Sequence, residues 1–225
     1  MYNDLMADIS HEIRVCDSCG LRYPLSVGHS FGTRCPICMG ETRAALHISR
    51  QLTAEPTRGP TPFTPHVGAE TAVLLDNIRS AWNVGSIFRS AEGFGFRHAY
   101  VCGITPTPEN DAVTKTSLGA EDMITWSYHK DAVRSVKGLK KEGWEVFALE
   151  EDKRAISLGS NRLLSRIQRI SNTPRILIVG NEVTGVDPGL LDLSDEILYI
   201  PMQGEKKSFN VAIAFGIAAY ALHQS

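Results

Sequence analysis

Four cysteines near the start of the chain have the spacing of a metal site. Cys16 and Cys19 form one C-x2-C pair, Cys35 and Cys38 form a second, and 15 residues lie between the pairs. Each pair can fold into a tight turn that presents two thiolates, so two pairs can surround one zinc ion as a tetrahedron. The pattern predicts a structural zinc site, with iron in the same cage or a redox-active cysteine pair as the alternatives. Because four thiolates fill the coordination sphere, we expect no catalytic role for the metal.

Three polar segments, each directly after a predicted strand, are the other candidates for chemistry. Asn83 and Arg89 follow the first predicted strand of the main part of the chain, Glu182 follows a later one, and the segment 203–210 follows the last. Parallel sheets bind ligands at the carboxyl ends of their strands, so these segments predict a binding site on one rim. The glycine-rich dinucleotide fingerprint and the phosphate-binding P-loop are both absent from the sequence. The expected ligand is therefore not obviously a dinucleotide.

Hydrophobic periodicity indicates strands and helices that alternate through the main part of the chain. This alternation is typical of an α/β domain with a mostly parallel sheet. The predicted strands are 72–75, 99–101, 124–127, 145–149, 175–179 and 196–200, and the predicted helices are 84–95, 111–118, 132–142, 163–170, a short helix opened by Asp187 and Pro188, and 211–222.

The last predicted helix has no polar face. Every residue from Val211 to Leu222 is apolar or glycine. A surface helix has a polar face and a membrane span needs about 20 apolar residues, so neither description fits. We expect this helix to be buried against its own domain, a second copy of the chain, or both. The polar segment before it is a suitable place for a charged ligand.

Composition and charge describe a globular chain in two parts. The 225 residues carry a net charge of −2, so a nucleic-acid partner would have to bind a local basic surface. Four prolines and a glycine in residues 53–66 predict an extended linker between a zinc ribbon module at 1–52 and a main domain at 67–225. The sequence has neither a signal-peptide pattern nor a membrane segment. We expect a cytoplasmic protein with no membrane contact, whose cysteines are metal-bound or free.

The segment between residues 13 and 60, which spans most of the zinc ribbon module and the start of the linker, is rich in arginine. These arginines either contact RNA or form ordinary solvated surface charge, and they are Arg14, Arg22, Arg34, Arg43, Arg50 and Arg58. The fifth cysteine, Cys102, ends an apolar run of the main domain and is expected to be a buried core thiol.

Three motifs in the main domain together resemble the SpoU (TrmH-like) family of RNA ribose 2′-O-methyltransferases, within the SPOUT superfamily. They are Asn83, Gly85 and Arg89, then Ile178 to Glu182 with Gly185, then Ile200 to Met202 with Ser208, Phe209 and Asn210. The resemblance covers about residues 70–225 and leaves out the zinc ribbon. Phe209 departs from the family's usual leucine, and Lys206 and Lys207 add positive charge beside the expected site.

The resemblance implies an α/β fold with a C-terminal trefoil knot, an exception to the rule that chains do not thread loops. It implies S-adenosylmethionine as the cofactor, held in the knot largely by backbone groups. It also implies a homodimer through the C-terminal helix, with the first motif completing the partner's site. The cofactor-binding positions that carry over are Leu149, Gly180, Glu182, Ile200, Met202 and Phe209.

The family's catalytic positions fall on Arg89, Asn83, Ser208 and Asn210. Because a guanidinium stays protonated, we expect Arg89 to clamp a phosphate beside the target ribose and to stabilise a developing alkoxide. Asn83 would orient Arg89 or the cofactor, while Ser208 and Asn210 would order the last loop and touch the nucleotide. Taken singly, Asn83 and Ser208 could also be simple helix caps, Glu182 a loop brace and Arg89 a surface residue.

The sequence therefore predicts an enzyme that transfers a methyl group from S-adenosylmethionine to a ribose 2′-hydroxyl of structured RNA, either tRNA or rRNA. The alternative is a knotted RNA-binding or assembly factor that has lost catalysis. Trp82, Phe94 and Phe96 flank the first motif, and we expect them to pack in the core in preference to stacking on bases.

Overall fold

The computed structural model describes residues 10–30, 32–49, 70–206 and 208–223. The chain divides into two units, Met1–Pro62 and Phe63–Ser225. The predicted linker at 53–66 lies outside the described residues, as do Arg50, Arg58 and Lys207. Its role as a linker, and the module boundaries on either side of it, therefore stay predictions.

The first unit contains a three-stranded antiparallel sheet with the order β2-β1-β3. The strands are β1 (Ser10–Cys16), β2 (Arg22–Ser26) and β3 (Thr42–Ser49). Two backbone turns carry the cysteines: Gly20 N–H donates to the Cys16 carbonyl at 3.0 Å, and Met39 N–H donates to the Cys35 carbonyl at 3.0 Å. Gly20 adopts a left-handed φ of 73°, which a side chain would disfavour.

The second unit alternates strands and helices as its sequence predicts. Its elements are β4 (Thr71–Asp76), α1 (Ala81–Gly93), β5 (His98–Cys102), α2 (Asp111–Ser117), a 3-10 turn (Ala120–Asp122), β6 (Thr125–His129), α3 (Ala132–Lys141), β7 (Glu145–Leu149), β8 (Ile156–Ser157), α4 (Asn161–Arg169), β9 (Arg175–Val179), α5 (Pro188–Leu193), β10 (Glu196–Tyr199) and α6 (Val211–His223).

The strands of this unit form one sheet with the order β6-β5-β4-β9-β7-β10-β8, and every pair is parallel. The predicted α/β class with a mostly parallel sheet is therefore confirmed. The central strands β4 and β9 are buried on both faces because helices cover both sides of the sheet. The trefoil knot stays a prediction from the family resemblance.

Two hydrophobic layers flank the sheet. One contains Phe88 of α1 and Phe215 of α6, and the other contains Val136 of α3 and Leu190 of α5. Cys102 lies in the second layer with no exposed surface, and burial raises the pKa of its thiol to about 12. It is a core thiol, as expected.

Helix α6 is buried on only one side. Its residues Phe215, Ala218 and Leu222 pack in the core, whereas its opposite stripe is solvent-exposed. Ile213 is 56% exposed and Tyr220 is 55% exposed. Among the described residues, the helix therefore presents an apolar surface that the rest of the chain covers only in part.

The aromatic residues beside the first motif do not share one environment. Phe96 is buried and packs edge-on against Phe215, with ring centroids 5.3 Å apart. Phe94 contacts Tyr220 of α6 with centroids 6.2 Å apart. The expectation of core packing is wrong for Trp82, which is 60% exposed on the first turn of α1.

A chain of hydrogen bonds links two histidines on the edge strands β5 and β6. Thr125 Oγ1 donates to the Arg97 carbonyl at 2.8 Å, so it accepts from His98 Nδ1 at 2.8 Å. His98 Nε2 then accepts from Ser127 Oγ at 2.7 Å, and Ser127 Oγ accepts from His129 Nε2 at 2.8 Å. This pattern needs neutral His98. Burial, and then the nearby charge of His129, lower the pKa of His98.

Within the described residues, the helices are all too short or too polar to cross a membrane.

Candidate functional site

A cavity of about 840 Å³ lies at the carboxyl ends of β7, β9 and β10. Its size is within the range of small-molecule pockets. Its walls come from the ends of those strands, the two loops that follow β9 and β10, and the start of α6. The lining residues are Leu149, Glu150, Glu151, Val179, Gly180, Asn181, Glu182, Val183, Gly185, Tyr199, Ile200, Pro201, Met202, Gly204, Glu205, Lys206, Ser208, Phe209, Asn210, Val211 and Ala214.

The cavity collects eight of the ten residues that the sequence assigns to the cofactor and to catalysis. These are Leu149, Gly180, Glu182, Ile200, Met202, Ser208, Phe209 and Asn210. The ninth, Asn83, reaches the wall through hydrogen bonds. The tenth, Arg89, is exposed on α1 and does not line the cavity.

Asn83 connects the two loops that form the cavity wall. Its side-chain amide donates to Glu182 Oε1 at 3.0 Å, and its Oδ1 accepts from the Asn210 amide at 3.0 Å. Three segments far apart in sequence are therefore joined by one side chain. This junction needs an amide at position 83, because Asn83 donates on one side and accepts on the other.

Glu182 also holds the N-terminus of α1. Its two carboxylate oxygens accept the backbone N–H groups of Arg79 at 2.9 Å and Ser80 at 3.1 Å. Burial alone would raise the pKa of Glu182. The hydrogen bonds from Arg79, Asn83, its own backbone and Ser80 outweigh that effect and lower the pKa. The predicted role of loop brace agrees with these contacts.

The residues that cap α1 and α6 are not the ones that the sequence suggests. Ser80, not Asn83, caps α1, because Ser80 Oγ accepts the Asn83 N–H at 3.3 Å. Asn210, not Ser208, stands before α6, where its Oδ1 accepts the Ala212 N–H at 2.9 Å. The capping alternative is therefore wrong for Asn83 and for Ser208. Both helices begin near a serine and an asparagine, but spacing alone does not tell which of the two is the cap.

The loop after β9 is closed by its own backbone and by two glycines. Asn181 and Gly185 exchange backbone hydrogen bonds at 3.1 and 2.9 Å. A Cβ atom at Gly180 would overlap the Gly185 carbonyl group and Val186 N, so only glycine fits there. Gly185 has a left-handed φ of 73°, and a Cβ atom there would meet the Glu150 carboxylate.

Two carboxylates outside the three motifs fix the end of this loop. Glu150 Oε2 accepts the Val186 N–H at 2.8 Å, and Asp76 Oδ2 accepts the Asp187 N–H at 2.9 Å. Burial raises the pKa of Asp76, although the N–H of Asp187 opposes this. Each carboxylate directly ends or follows a predicted apolar strand. That position is a signal that could have identified them.

The charge of the cavity lining is negative. Among the described lining residues the acidic side chains outnumber the single cation, Lys206, and they are Glu150, Glu151, Glu182 and Glu205. Apolar side chains such as Ile200, Phe209 and Val211 form the remaining wall. Such a lining suits a ligand with an apolar body and positive charge.

The four cysteines of the first unit form a separate cluster. Their sulfurs all lie within 4.8 Å of one another, with 3.4 Å between Cys16 and Cys38 and 3.7 Å between Cys19 and Cys35. A tetrahedral zinc site with Zn–S bonds of about 2.3 Å requires sulfurs about 3.8 Å apart. The Cys19 N–H donates to Cys16 Sγ and lowers the pKa of that thiol to about 6. The donor set and its spacing therefore fit a structural zinc ion.

Three of the ribbon arginines are occupied by neighbouring acidic side chains. Arg14 is buried, pairs with Glu12 and donates to the Thr42 carbonyl at 2.7 Å. The other two pairs are Arg34 with Glu41 at 3.0 Å and Arg43 with Asp17 at 3.2 Å. Arg14 thus has a structural role, and two of the exposed guanidinium groups are already neutralised.

Known proteins resemble this chain in sequence. The family model of the SpoU rRNA methylase family matches residues 70–220. The 23S rRNA (guanosine(2553)-2′-O)-methyltransferase RlmP of Bacillus subtilis is 30% identical over 160 residues, which are 68% of this chain and 58% of that protein. A tRNA (guanosine(18)-2′-O)-methyltransferase of Aquifex aeolicus is 25% identical over 151 residues, 66% of each protein. An uncharacterized tRNA/rRNA methyltransferase of Mycobacterium tuberculosis is 29% identical over 178 residues, and the match spans only 60% of its length.

Solved structures share the fold of the second unit. The A. aeolicus TrmH/SpoU tRNA modifying enzyme has a TM-score of 0.58 and 25% identity, and the match covers 69% of this chain and 74% of that one. An AdoMet-bound rRNA methyltransferase from Sinorhizobium meliloti has a TM-score of 0.62 over 70% of this chain and 57% of that one. Its identity of 23% supports a shared fold alone.

Proposed function

Because the chain belongs to the SpoU rRNA methylase family, whose model matches residues 70–220, we propose that it methylates RNA. In this proposal the methyl group of S-adenosylmethionine is transferred to a ribose 2′-hydroxyl of tRNA or rRNA. Relatives with these two substrates are similar over two thirds of the chain. The four thiols and an RNA substrate both suit a cytoplasmic protein.

One observation carries the proposal: the three motifs meet at a single cavity. Asn83 of the first motif binds Glu182 of the second and Asn210 of the third, each at 3.0 Å. Surface residues with unrelated roles would have no reason to converge from positions about a hundred residues apart. The junction also gives each motif a stated physical role, because loss of Asn83 would break the hydrogen bonds that connect the first motif to the other two.

The cavity lining fits the proposed cofactor. S-adenosylmethionine, when bound, supplies a methyl group on a cationic sulfonium. The acidic lining favours that charge, and Ile200, Phe209 and Val211 offer apolar surface for an adenine ring. Lys206 would repel the sulfonium, so it is better suited to contact with the RNA backbone.

The residues of the chain mainly position the reactants. The 2′-hydroxyl would lose its proton to solvent water as it is methylated, because a guanidinium cannot accept that proton. Arg89 instead contributes fixed positive charge beside a phosphate and the developing alkoxide. The Asn83–Glu182–Asn210 junction keeps the loops that hold the cofactor in one arrangement.

Arg89 would act on the cavity of a second copy of the chain. It lies six residues after Asn83, which places the two side chains about 120° apart around α1. Because Asn83 faces the cavity of its own chain, Arg89 is directed away from it. A homodimer through α6 would resolve this separation, and the exposed side chains of Ile213 and Tyr220 offer an apolar surface for such a contact.

The zinc ribbon would be a stabilising module outside the catalytic unit. Cys16, Cys19, Cys35 and Cys38 would hold the ion and leave no open coordination position. We place this module at 1–52, the linker at 53–66 and the methyltransferase domain at 67–225.

The first experiment separates an enzyme from a binding protein. Calorimetry measures S-adenosylmethionine binding, and ribose-methylation mapping of total RNA with and without the protein measures transfer. We expect both activities. Arg89→Ala should abolish transfer and leave cofactor affinity within twofold, whereas the matched surface variant Arg134→Ala on α3 should change neither. Cofactor and RNA binding without transfer by the intact protein would favour the non-catalytic alternative.

A mixing experiment tests the second copy. Arg89→Ala lacks the arginine, and Gly180→Ala disrupts the cavity wall, so each homodimer should be inactive. In a mixed dimer, the intact cavity of the first variant would meet the intact Arg89 of the second. Recovery of transfer is the expected result, and persistent inactivity after the chains have exchanged would contradict the shared site.

A further inference from the structure

Trp82 is the tryptophan that the fold leaves outside its core. Its side chain is 60% exposed on the first turn of α1, directly before Asn83 of the cavity junction. Trp126 and Trp144 are half-buried and pack against the two hydrophobic layers. Exposing a large aromatic surface to water is unfavourable, so this position suggests a partner.

The backbone beneath Trp82 is held rigidly. The Trp82 carbonyl accepts Ser86 Oγ at 2.9 Å and Thr116 Oγ1 of α2 at 3.3 Å. One turn further on, α1 approaches α2 so closely that a Cβ atom at Gly85 would overlap Thr116 Oγ1 and the Val113 carbonyl. The exposed ring is therefore attached to a well-held backbone, and only its two side-chain torsions would need to be fixed when it contacts a flat partner.

The surface around Trp82 is cationic. Arg89 follows by seven residues, so both side chains lie on one face of α1, about 10 Å apart along its axis. Arg79 precedes the helix, and Lys115 lies on the adjacent α2. All three cations are exposed, and none forms an ion pair with another residue in the described part of the chain.

We propose that Trp82 stacks on an unpaired base of the substrate RNA while Arg89 binds the phosphate backbone beside it. Single-stranded RNA segments are recognised by stacking on aromatic side chains combined with basic residues along the backbone. This inference rests on the proposed function, and it adds a residue that selects substrates with an unpaired base next to the target ribose. The charge distinguishes this surface from the uncharged stripe of Ile213 and Tyr220 on α6, which suits a second copy of the chain.

Kinetics with total tRNA and with ribosomal RNA test the contribution of the ring. Trp82→Ala should raise KM for RNA roughly 5- to 150-fold, the range of a lost base stack. Cofactor affinity should stay within twofold, and Trp82→Phe should recover most of the loss because phenylalanine still offers a flat ring. An unchanged KM in Trp82→Ala, or a lower kcat at unchanged KM, would overturn the proposal.

Tryptophan fluorescence gives a readout that does not depend on catalysis. RNA should quench the emission of the intact protein and of the control Trp144→Phe, and the quenching should be lost in Trp82→Phe. Emission that changes with protein concentration in the absence of RNA would assign Trp82 to contact with a second copy and overturn the proposal. If RNA quenches Trp82 but no methyl transfer occurs, the stacking inference stands and the proposed enzyme function fails.

Discussion

Replacing Glu182 with glutamine should loosen the cavity wall and weaken cofactor binding. The Glu182 carboxylate accepts the N–H groups of Arg79 and Ser80 and the side-chain amide of Asn83, at 2.9 to 3.1 Å. Glutamine is nearly the same size, but it has one acceptor oxygen and an NH₂ group that would face a donor. At least one of these hydrogen bonds must therefore be lost.

The expected magnitude follows from the type of bond. A hydrogen bond to a charged group contributes about 1.5–3 kcal/mol, and the solvent exposure of Glu182 reduces this contribution. We expect the ordered conformation of the loop to be destabilised by about 1–2 kcal/mol. This corresponds to roughly a 5- to 30-fold higher Kd for S-adenosylmethionine. Calorimetric titration of both proteins at pH 7.5 measures this change directly.

A matched control separates loop order from simple charge. Glu151→Gln removes the same charge from the same cavity, but Glu151 makes none of the Glu182 contacts. It should change Kd by less than about threefold, as expected for an exposed charge. Equal losses in the two variants would refute the reasoning, because charge attraction and not the hydrogen-bonded junction would then control affinity.

Three further predictions concern the zinc site, the loop glycine and the histidine pair. Cys35→Ser should release zinc and unfold the first unit while leaving the thermal transition of the second unit unchanged, and loss of cofactor binding would contradict two independent units. Gly180→Ala should raise the cofactor Kd more than tenfold in calorimetry, because its Cβ atom would overlap the next turn of the loop, whereas the control Gly204→Ala meets no atom within 4 Å and should behave as wild type. Because the pKa of His98 is lowered in the folded protein, His98 becomes protonated at a higher pH in the unfolded chain than in the folded one. The free energy of unfolding should therefore fall as pH drops from 7 through 6.5 toward the folded-state pKa. His98→Gln should make the free energy of unfolding less dependent on pH, by less than about 1.4 kcal/mol per pH unit, as measured by chemical denaturation. An unchanged slope of this free energy against pH would show that another group dominates.

Most helices and strands of the second unit can be predicted from the sequence because short-range patterns determine them. The continuous apolar run of β9 and the helical spacing of Val84, Ile87 and Phe88 each identify an element without reference to distant residues. Strand β8 is missed because two residues, Ile156 and Ser157, carry no periodicity. Strand order is not local either, since β9 lies between β4 and β7 although it follows both in sequence.

The candidate site is predicted by motif spacing but not by single residues. The joint spacing identifies the cavity wall, whereas the roles of Asp76 and Glu150 depend on partners 111 and 36 residues away. Trp82 shows the limit of hydrophobic reasoning, because its size and apolar character suggest the core while its position on the first turn of α1 directs it to solvent.

The two carboxylates at the end of the loop after β9 have a consequence for how the cavity admits its ligand. Glu150 follows β7 and Asp76 ends β4, so the strands on either side of β9 hold the adjacent amide groups of Val186 and Asp187. Releasing either amide leaves one carboxylate oxygen without a donor, so two adjacent hydrogen bonds oppose the opening of this wall. Its amide protons should accordingly exchange with water as slowly as those of the central strands. Ligand entry would then depend on movement of the other loop of the cavity lining, which contains Gly204 and Glu205.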